Sequence, residues 1–312
     1  QDGKFQYTFG KRRFDVRASF LPNTHGEKVV LRLLDKTKLV LGLDQLGMPE
    51  WIFNQFRVLL TRPHGVILVT GPTGSGKTTT LYSALNSING SDRCIVTIED
   101  PVEYELPLIT QVQVNVKSGL TFAEGLRSIL RQDPDIILIG EIRDGETASI
   151  AVRAAMTGHM VLSTLHTNDP VSSIPRLQDM GLSRMELAAA LQGVLAQRLL
   201  RVNCQACSRP YEPDPEFLAR LKPHQREGKW EKGMGCEHCG HTGVRGRRPI
   251  HDLLFVTPAI RELVASGAGL AEVEALARKE GKTSLFEHAL TLAQQGLTTL
   301  EEALLATMAE EG

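Results

Sequence analysis

The chain has 312 residues, of which 42% are hydrophobic and 23% are charged, and its formal net charge is −1. This profile is typical of a globular protein of two or three domains. The near-neutral charge excludes an overall positive field that would favour nucleic acid or anionic lipid, and no apolar run approaches the roughly 18 to 20 residues of a membrane span. The first residues, QDGKFQYTFGKRRF, lack the apolar core of a signal peptide.

The N-terminal stretches FQYTF, FDVRASF and KVVLRLL are rich in β-branched and aromatic residues, and a turn, LPNTHGE, separates the last two. They predict part of a small β-containing domain. A helical segment, PEWIFNQFRVLLTR, follows and leads to Pro63.

From Gly65 onward, apolar strands alternate with helical stretches. The predicted strands are GVILVTG, CIVTIED, IILIGEI and HMVLSTLH, and the predicted helices cover residues 78–88, 121–132 and 146–157. This alternation predicts an α/β fold with a parallel sheet buried on both faces. Acidic or polar residues end several strands, where open α/β sheets bind their ligands. A region rich in cysteine, proline and glycine follows residue 200, and the tail from Pro258 is predicted to be helical.

The segment GPTGSGKT, residues 71–78, matches G-x-x-x-x-G-K-[ST] and lies between a predicted strand and a predicted helix. Its glycines allow backbone N–H groups to turn toward phosphate oxygens at the positive end of the helix. Lys77 would reach the β- and γ-phosphates, and the Thr78 hydroxyl would bind Mg²⁺. The nucleotide-binding candidates are therefore Gly71, Pro72, Thr73, Gly74, Ser75, Gly76, Lys77, Thr78 and Thr79.

Phosphoryl transfer also needs carboxylates, and two segments supply them. TIEDPVEY contains Glu99, Asp100 and Glu103. DPDIILIGEIRD reads as a buried strand that ends in Gly140 and Glu141, whereas the second motif of P-loop hydrolases ordinarily ends in Asp. Glu141 is the strongest candidate because an apolar strand carries it to the rim of the sheet. A solvated surface acid is the alternative for each residue, and Asp100 could instead fix the turn before the following proline.

Histidines and arginines form a second set of candidates. GHMVLSTLHTND places His159 and His166 at the two ends of a strand. His166 is a candidate sensor of the γ-phosphate or its attacking water, and a structural role is the alternative for both histidines. Arg17 and Arg32 lie on strands of the first domain, whereas Arg127 and Arg131 share one helix face. Some of these arginines would serve a neighbouring subunit's nucleotide, and solvated surface arginines are the alternative.

Two CxxC pairs, CQAC and CEHC, are separated by residues 208–235. Four thiolates suit a closed tetrahedral Zn²⁺ site, so the predicted structural metal ligands are Cys204, Cys207, Cys236 and Cys239. The alternative is two unlinked pairs of reduced thiols. The fifth cysteine, Cys94, is predicted to be a buried small hydrophobic residue.

Together these motifs resemble those of the secretion ATPases of type IV pilus assembly and type II secretion. GPTGSGKTTTLYSAL resembles the family's Walker A motif, TIEDPVEY its aspartate box, and TGHMVLSTLHTND its histidine box. GLTFAEGLRSILRQDPDIILIGEIRDGETA resembles its atypical Walker B region, which ends Gly-Glu. The paired cysteines with GVRGRR resemble the metal-binding module of the assembly branch. The resemblance covers nearly the whole chain.

The resemblance implies an α/β fold with a P-loop, RecA-like core whose sheet is mainly parallel. It divides the chain into the remnant of a second, PAS-like α+β N-terminal domain (1–36), a linker and helix (37–64), the ATPase core (65–200), a tetracysteine zinc module (201–250) and a C-terminal helical region (251–312). On this reading the chain begins within that N-terminal domain. The core would bind ATP and Mg²⁺.

The resemblance also implies residue roles. Glu141 would take part in catalysis, Arg17 and Arg32 would reach the nucleotide, and Arg127 and Arg131 would be further charge partners. Acids of the aspartate box would help with Mg²⁺ or water, and the division of labour between them and Glu141 stays open. One departure is Asp252, which stands where the family usually has Glu.

The implied activity is that of a hexameric, Mg²⁺-dependent ATPase whose domain motions drive pilin or pseudopilin polymerisation. It would act from the cytoplasm, peripherally at the inner membrane, through a platform protein and without direct contact with nucleic acid. The alternative is a helicase-like nucleic-acid motor, which the near-neutral charge and the 5% aromatic content disfavour. A nucleotide-binding scaffold without turnover is a third reading, and the surplus of catalytic-type acids disfavours it.

Overall fold

A computed structural model of the chain describes residues 2–10, 12–35 and 41–307, which include all the site residues predicted above. The predicted domain boundary between residues 36 and 37 lies outside these ranges, as do the last five residues of the predicted C-terminal region. Within them, no helix has the length and apolar character needed to span a membrane.

The N-terminal segment forms an antiparallel sheet of three strands: β1 (Asp2–Phe9), β2 (Arg12–Asn23) and β3 (Gly26–Asp35). The predicted β-rich character is confirmed, although the turn between β2 and β3 is tighter than the predicted LPNTHGE. Phe5, Val16 and Leu33 are directly opposite one another across the three strands, so their side chains share one face. Phe5 and Leu33 are exposed on that face.

The remaining strands are β4 (Gly65–Thr70), β5 (Ile95–Glu99), β6 (Thr110–Gln113), β7 (Ile136–Ile139), β8 (Met160–Leu165), β9 (Leu191–Asn203), β10 (Ser208–Pro210), β11 (Glu231–Gly233) and β12 (Val244–Phe255). All except β10 and β11 form one seven-stranded sheet in the order β12-β9-β4-β8-β7-β5-β6. Neighbouring strands are parallel, except that the edge strand β12 is antiparallel to β9. The mainly parallel sheet of the predicted fold is confirmed.

The helices are α1 (Glu50–Leu60), α2 (Lys77–Ile88), α3 (Phe122–Ile129), α4 (Gly145–Met156), α5 (Ser173–Asp179), α6 (Arg184–Ala190), α7 (Pro215–Ala219), α8 (Pro258–Ser266), α9 (Leu270–Lys279), α10 (Leu285–Gln294) and α11 (Leu300–Thr307). Polar residues mark several starts: Thr121, Asp144 and Ser183 each accept a hydrogen bond from a backbone N–H in the first turn of α3, α4 and α6.

Helices cover both faces of the large sheet. On one face, α1 and α2 pack against Ile67 and Val69 of β4. On the other face, α3, α4, α5, α6, α8 and α9 pack around Val66 and Leu68 of the same strand. Because side chains alternate along a strand, a continuous apolar run such as β4 places apolar side chains in the hydrophobic cores on both faces of the sheet. The sheet therefore holds its strand ends rigidly where loops leave it.

A small module containing α7, β10 and β11 is inserted between β9 and β12. Helices α10 and α11 pack against β9 and β12 through Leu200, Ile250, Leu285 and Ala303. The predicted boundaries after residues 200 and 250 fall within β9 and β12, because these strands extend from the large sheet into the module.

Candidate functional site

The glycine-rich loop lies between β4 and α2, at the carboxyl end of the sheet. Gly76 caps the helix in the left-handed conformation with φ of 91°, which favours glycine. The Lys77 ammonium donates hydrogen bonds to the carbonyl oxygens of Gly71 at 2.7 Å and Pro72 at 3.0 Å. Burial lowers the pKa of Lys77, and the charge of Glu141 opposes that effect. A phosphate oxygen would replace the loop carbonyls as a stronger partner for the ammonium.

Three buried hydroxyl groups tie the loop to the segment that follows β8. The hydroxyl oxygens of Thr70 and Thr167 lie 2.7 Å apart, and those of Thr167 and Ser173 lie 2.8 Å apart. The Thr167 N–H also donates to the Thr70 hydroxyl at 2.8 Å. Because Thr70 immediately precedes the loop and His166 immediately precedes Thr167, this network fixes the position of His166 relative to the loop.

Glu141 forms the centre of a charged cluster next to the loop. Its carboxylate accepts a hydrogen bond from Arg143 at 2.6 Å and lies 3.7 Å from His166 Nε2. Burial lowers the pKa of His166, and the positive charges of Lys77 and Arg143 add to that effect while Glu141 opposes it. This lowered pKa favours the neutral form of His166 at neutral pH. Sequence reasoning missed Arg143, whose only signal was its place two residues after Glu141.

Gly140, which stands where an Asp was expected, lies against the end of β5. Its N–H donates to the Ile98 carbonyl at 2.8 Å, and a Cβ built at this position would lie 3.3 Å from the Cα of Glu99. Any side chain at position 140 would therefore press on the neighbouring backbone. The carboxylate comes one residue later, at Glu141, whose side chain is 18% exposed.

Glu99 is buried, with 3% of its surface exposed. Its carboxylate accepts hydrogen bonds from the hydroxyl groups of Tyr82 and Thr97 and from the Gln111 amide. The last two distances are 2.7 and 3.1 Å. Both carboxylate oxygens are thus engaged by protein donors that tie β5 to α2 and β6. These contacts are structural, and the predicted catalytic role of Glu99 stays a prediction.

The other two acids of this segment differ in their surroundings. Asp100 is exposed, and with Glu141, the larger contributor, it raises the pKa of Arg143, which places it close to the charged cluster. The Glu103 N–H donates to the Tyr82 hydroxyl at 3.4 Å. Asp100 therefore borders the cluster, and the role of Glu103 stays a prediction.

The four predicted arginines fall into two groups. Arg17 donates to the Val102 carbonyl at 3.5 Å, which brings the N-terminal sheet to the aspartate-box segment, and Arg32 lies directly opposite Arg17 on the same face of that sheet. Arg127 instead forms ion pairs of 2.6 and 2.5 Å with a carboxylate on its own helix and one on α4. Arg131 donates to the Arg127 carbonyl at 2.9 Å. Their roles toward a nucleotide stay predictions.

Two further residues have structural surroundings. His159 Nδ1 lies 2.9 Å from the carbonyl oxygen of Ala154, at the end of α4, which agrees with the structural alternative for this histidine. The prediction that Cys94 is buried is wrong. Cys94 is exposed just before β5, where its thiol contacts the Gln132 carbonyl at 3.8 Å, because burial of the strand begins only at the next residue.

The four cysteines of the two CxxC pairs converge in the inserted module. Their sulfur atoms all lie within 4.8 Å of one another. The Cys204–Cys236 and Cys207–Cys239 sulfur distances are 3.8 and 3.9 Å. A tetrahedral ion with metal–sulfur bonds of about 2.3 Å requires sulfur atoms about 3.8 Å apart, so the cluster fits a metal site.

Backbone groups around the cluster favour thiolates. The N–H groups of Cys236 and Gly243 each donate to the Cys239 sulfur at 3.2 Å. Such donors stabilise the deprotonated sulfur that metal binding requires. The convergence of both pairs contradicts the alternative of unlinked thiol pairs.

Comparison with known proteins agrees with this geometry. Residues 1–305 match the sequence profile of the family described as Type II/IV secretion system protein. The chain is 49% identical to the Type IV pilus assembly ATPase PilB of Thermus thermophilus over 311 residues, which cover 99% of this chain and 35% of that protein. It is also 49% identical to the Type II secretion system ATPase E of Vibrio cholerae over 308 residues, 98% of this chain and 61% of that protein. The chain thus spans less than two thirds of either relative.

Solved structures give the same result for the fold. The pilus retraction motor PilT with bound ADP aligns with a TM-score of 0.72 and 32% sequence identity, covering 98% of this chain and 77% of that one. The Legionella pneumophila ATPase DotB aligns with the same TM-score of 0.72 at 22% identity, covering 100% and 78% of the two chains, and supports the fold alone. By sequence and by fold, the chain is a member of the type II/IV secretion system protein family.

Proposed function

We propose that the protein is a Mg²⁺-dependent ATPase that converts ATP hydrolysis into domain motion. The single observation that carries this proposal is the convergence of Glu141 and His166 beside Lys77, the lysine of the glycine-rich loop. The Glu141 carboxylate lies 3.7 Å from the His166 imidazole, and its negative charge raises the pKa of Lys77 against the effect of burial. A base, a neutral imidazole and an ammonium at the carboxyl edge of a parallel sheet are the groups that hydrolysis of a triphosphate needs.

The loop residues fit a nucleotide and its Mg²⁺. The Ser75 hydroxyl is buried and has no protein partner in the part of the chain described, so it is free to bond a ligand oxygen. The Lys77 ammonium donates its hydrogen bonds to carbonyls of its own loop, and the Thr78 side chain is exposed. When bound, Mg²⁺ would neutralise phosphate charge. Thr78 and acids of the rim would hold the ion, and Glu141 would orient the attacking water.

The four-cysteine cluster is proposed to bind structural Zn²⁺. The donor set is uniform sulfur, which suits zinc better than the oxygen-preferring Mg²⁺. The four cysteines would supply all four ligands of a tetrahedral ion, so no position would be left for a substrate. The ion would hold the module together between β9 and β12.

The mechanical role is proposed from the relatives, since the chain covers only part of them. Their printed names place them in type IV pilus assembly and type II secretion. We therefore infer a cytoplasmic homo-hexamer that works on an inner-membrane platform protein and drives pilin or pseudopilin polymerisation. Arg17 contacts the Val102 carbonyl, so the N-terminal sheet lies next to the aspartate-box segment. From that position a domain motion would bring Arg17 and Arg32 to a bound nucleotide, with Arg127 and Arg131 available to a neighbouring subunit.

The test is steady-state phosphate release from ATP by the purified protein, compared with Lys77→Ala. We expect wild-type turnover that requires Mg²⁺ and a loss of at least about a hundredfold in the variant, because the ammonium no longer stabilises the phosphates. Melting temperatures should agree within a few degrees. Equal turnover in both proteins would reject the site, and hydrolysis that depends on added DNA would favour the helicase-like alternative.

A further inference from the structure

A buried glutamine, Gln197, contacts the glycine-rich loop from the neighbouring strand β9. Its side chain is 2% exposed. The amide nitrogen donates to the Ser75 carbonyl at 2.7 Å, and the amide oxygen accepts from the Thr80 hydroxyl at 2.6 Å. Because Ser75 lies in the loop and Thr80 lies in the first turn of α2, one side chain bridges the loop and its helix.

The chemistry of the two partners sets the direction of this amide. The Ser75 carbonyl can only accept a hydrogen bond, so it requires the NH₂ end of Gln197. The Thr80 hydroxyl can then donate to the amide oxygen. A reversed amide would place two carbonyl oxygens 2.7 Å apart, which is repulsive. The observed pairing therefore has a single satisfactory arrangement.

This contact controls which way one peptide of the loop faces. An anion cradle works only if backbone N–H groups point toward the phosphates and the carbonyls point away. A peptide is planar and trans, so the Ser75 carbonyl and the Gly76 N–H point in opposite directions. By holding the carbonyl toward β9, Gln197 directs the Gly76 N–H away from that strand. Without this donor the carbonyl would be buried and unsatisfied.

The two outer glycines of the loop leave room for Gln197. A Cβ built on Gly76 would lie 2.7 Å from the Gln197 amide nitrogen, and one built on Gly71 would lie 2.3 Å from the Gln197 carbonyl oxygen. Both distances are shorter than any normal contact of a Cβ atom, and the second involves backbone that cannot swing aside. The loop and Gln197 are therefore fitted to each other at both ends of the loop.

We propose that Gln197 is a positioning residue that holds the loop in its phosphate-binding shape through Ser75 and Thr80. The inference rests on the proposed ATP hydrolysis and adds a residue from outside the sequence motifs. Gln197 acts on a backbone that binds phosphates before and during the reaction. Its loss should therefore weaken nucleotide binding more than it slows the chemical step.

The test compares Gln197→Met with the matched control Gln192→Met. Gln192 lies on the same strand, is 4% exposed, and bonds Arg261 rather than the loop. Methionine keeps the length of the side chain and removes its hydrogen bonds. We expect Gln197→Met to weaken binding of a fluorescent ADP analogue about tenfold and to raise KM similarly, with kcat changed less than about threefold. Gln192→Met should bind within about twofold of wild type.

Three outcomes separate the possibilities. Wild-type affinity in Gln197→Met, or an equal loss in Gln192→Met, would overturn the positioning role. If Gln197→Met does not fold, Thr80→Val removes only the hydroxyl that links the Gln197 amide oxygen to α2. Weaker binding in that variant supports the role, and unchanged binding overturns it. Wild-type protein that binds no ADP, or binds it no better than Lys77→Ala does, would instead reject the proposed function itself.

Discussion

The glycine-rich loop and the four-cysteine cluster differ in how their polar groups are paired. In the cluster, four cysteine sulfur atoms lie within 4.8 Å of one another, and a single metal ion would bind all four. Around the loop, unlike groups pair instead: Lys77 bonds carbonyls of its own loop, and Glu141 bonds Arg143, whose side chain is 61% exposed.

This difference separates a closed structural site from an open site that can exchange partners. Four thiolates repel one another unless a cation lies between them, so a cluster of this kind depends on its metal. Exposed ion pairs contribute little stability, commonly below about 1 kcal/mol, so they can open when an anion arrives. The first two of the following predictions test that contrast, and the third extends it to buried and exposed histidines.

Metal removal should have the largest effect on the fold. We expect chelation, or Cys207→Ser, to remove about one metal ion per chain and to lower the melting temperature by on the order of 10 °C. Elemental analysis and calorimetry measure these two changes. Exposed Cys94→Ser is the matched control and should keep its metal. A chelator-treated protein that melts like the untreated one would show that the cluster is not structural.

Glu141→Gln should have a large effect on chemistry and a small one on the fold. The loss of the base should lower phosphate release by about 10²- to 10³-fold. Affinity for ADP should stay equal or increase, because one negative charge near the phosphates is gone. Phosphate release, titration with a fluorescent ADP analogue and melting measure the three quantities. A drop in melting temperature comparable to that of the cysteine variant would contradict an open site.

The third prediction contrasts the half-exposed His166 with two buried histidines. Burial lowers the pKa of His251 to about 3 and that of His288 to about 4, and the backbone N–H of His251 donates to His288 Nδ1 at 3.0 Å. Repulsion between the rings adds to the effect at His251, and Arg248 adds to it at His288.

In the unfolded chain both rings take up protons near their ordinary value of 6.5, whereas the folded protein excludes these protons. The stability they contribute is therefore complete above pH 6.5 and falls as the pH drops toward 4, by about 1.4 kcal/mol per pH unit for each ring. Urea unfolding at several pH values measures this slope. His251→Leu should reduce it by about half, and His166→Asn should reduce it less, because burial lowers the pKa of this half-exposed ring less than that of the two buried rings. An equal slope in His251→Leu and wild type would show that this ring does not remain neutral.

Short motifs made the loop and the cysteine site predictable. A G-x-x-x-x-G-K-T run between a strand and a helix forces a backbone turn, and each CxxC pair forms a local chelate. These are contacts among near neighbours in the chain, so spacing alone implies them. Prediction of β4, β5, β7 and β8 succeeded for a related reason, since strands buried on both faces have continuous apolar runs.

Strands β9 and β12 were missed because their local patterns are ambiguous. In β9, apolar residues recur three and four positions apart, as in Leu191, Val194 and Leu195, which is also a helical spacing. In β12, Pro249 interrupts the run, and it is tolerated because β12 is an edge strand of the sheet. Pairing with β4 decided the conformation of β9, and with it the place of Gln197.

The sequence by itself determined the fold class, the glycine-rich loop and the two halves of the four-cysteine cluster, because each depends on residues close together in the chain. Only the tertiary structure decided that Glu99 is enclosed by Tyr82, Thr97 and Gln111 while Glu141 stands at the open rim. It also decided that the loop is braced by Gln197, which lies more than a hundred residues away in the sequence. The physical reason is that burial and hydrogen-bond partners depend on which strands become neighbours in the sheet. The spacing of residues along the chain does not predict which distant strands pair.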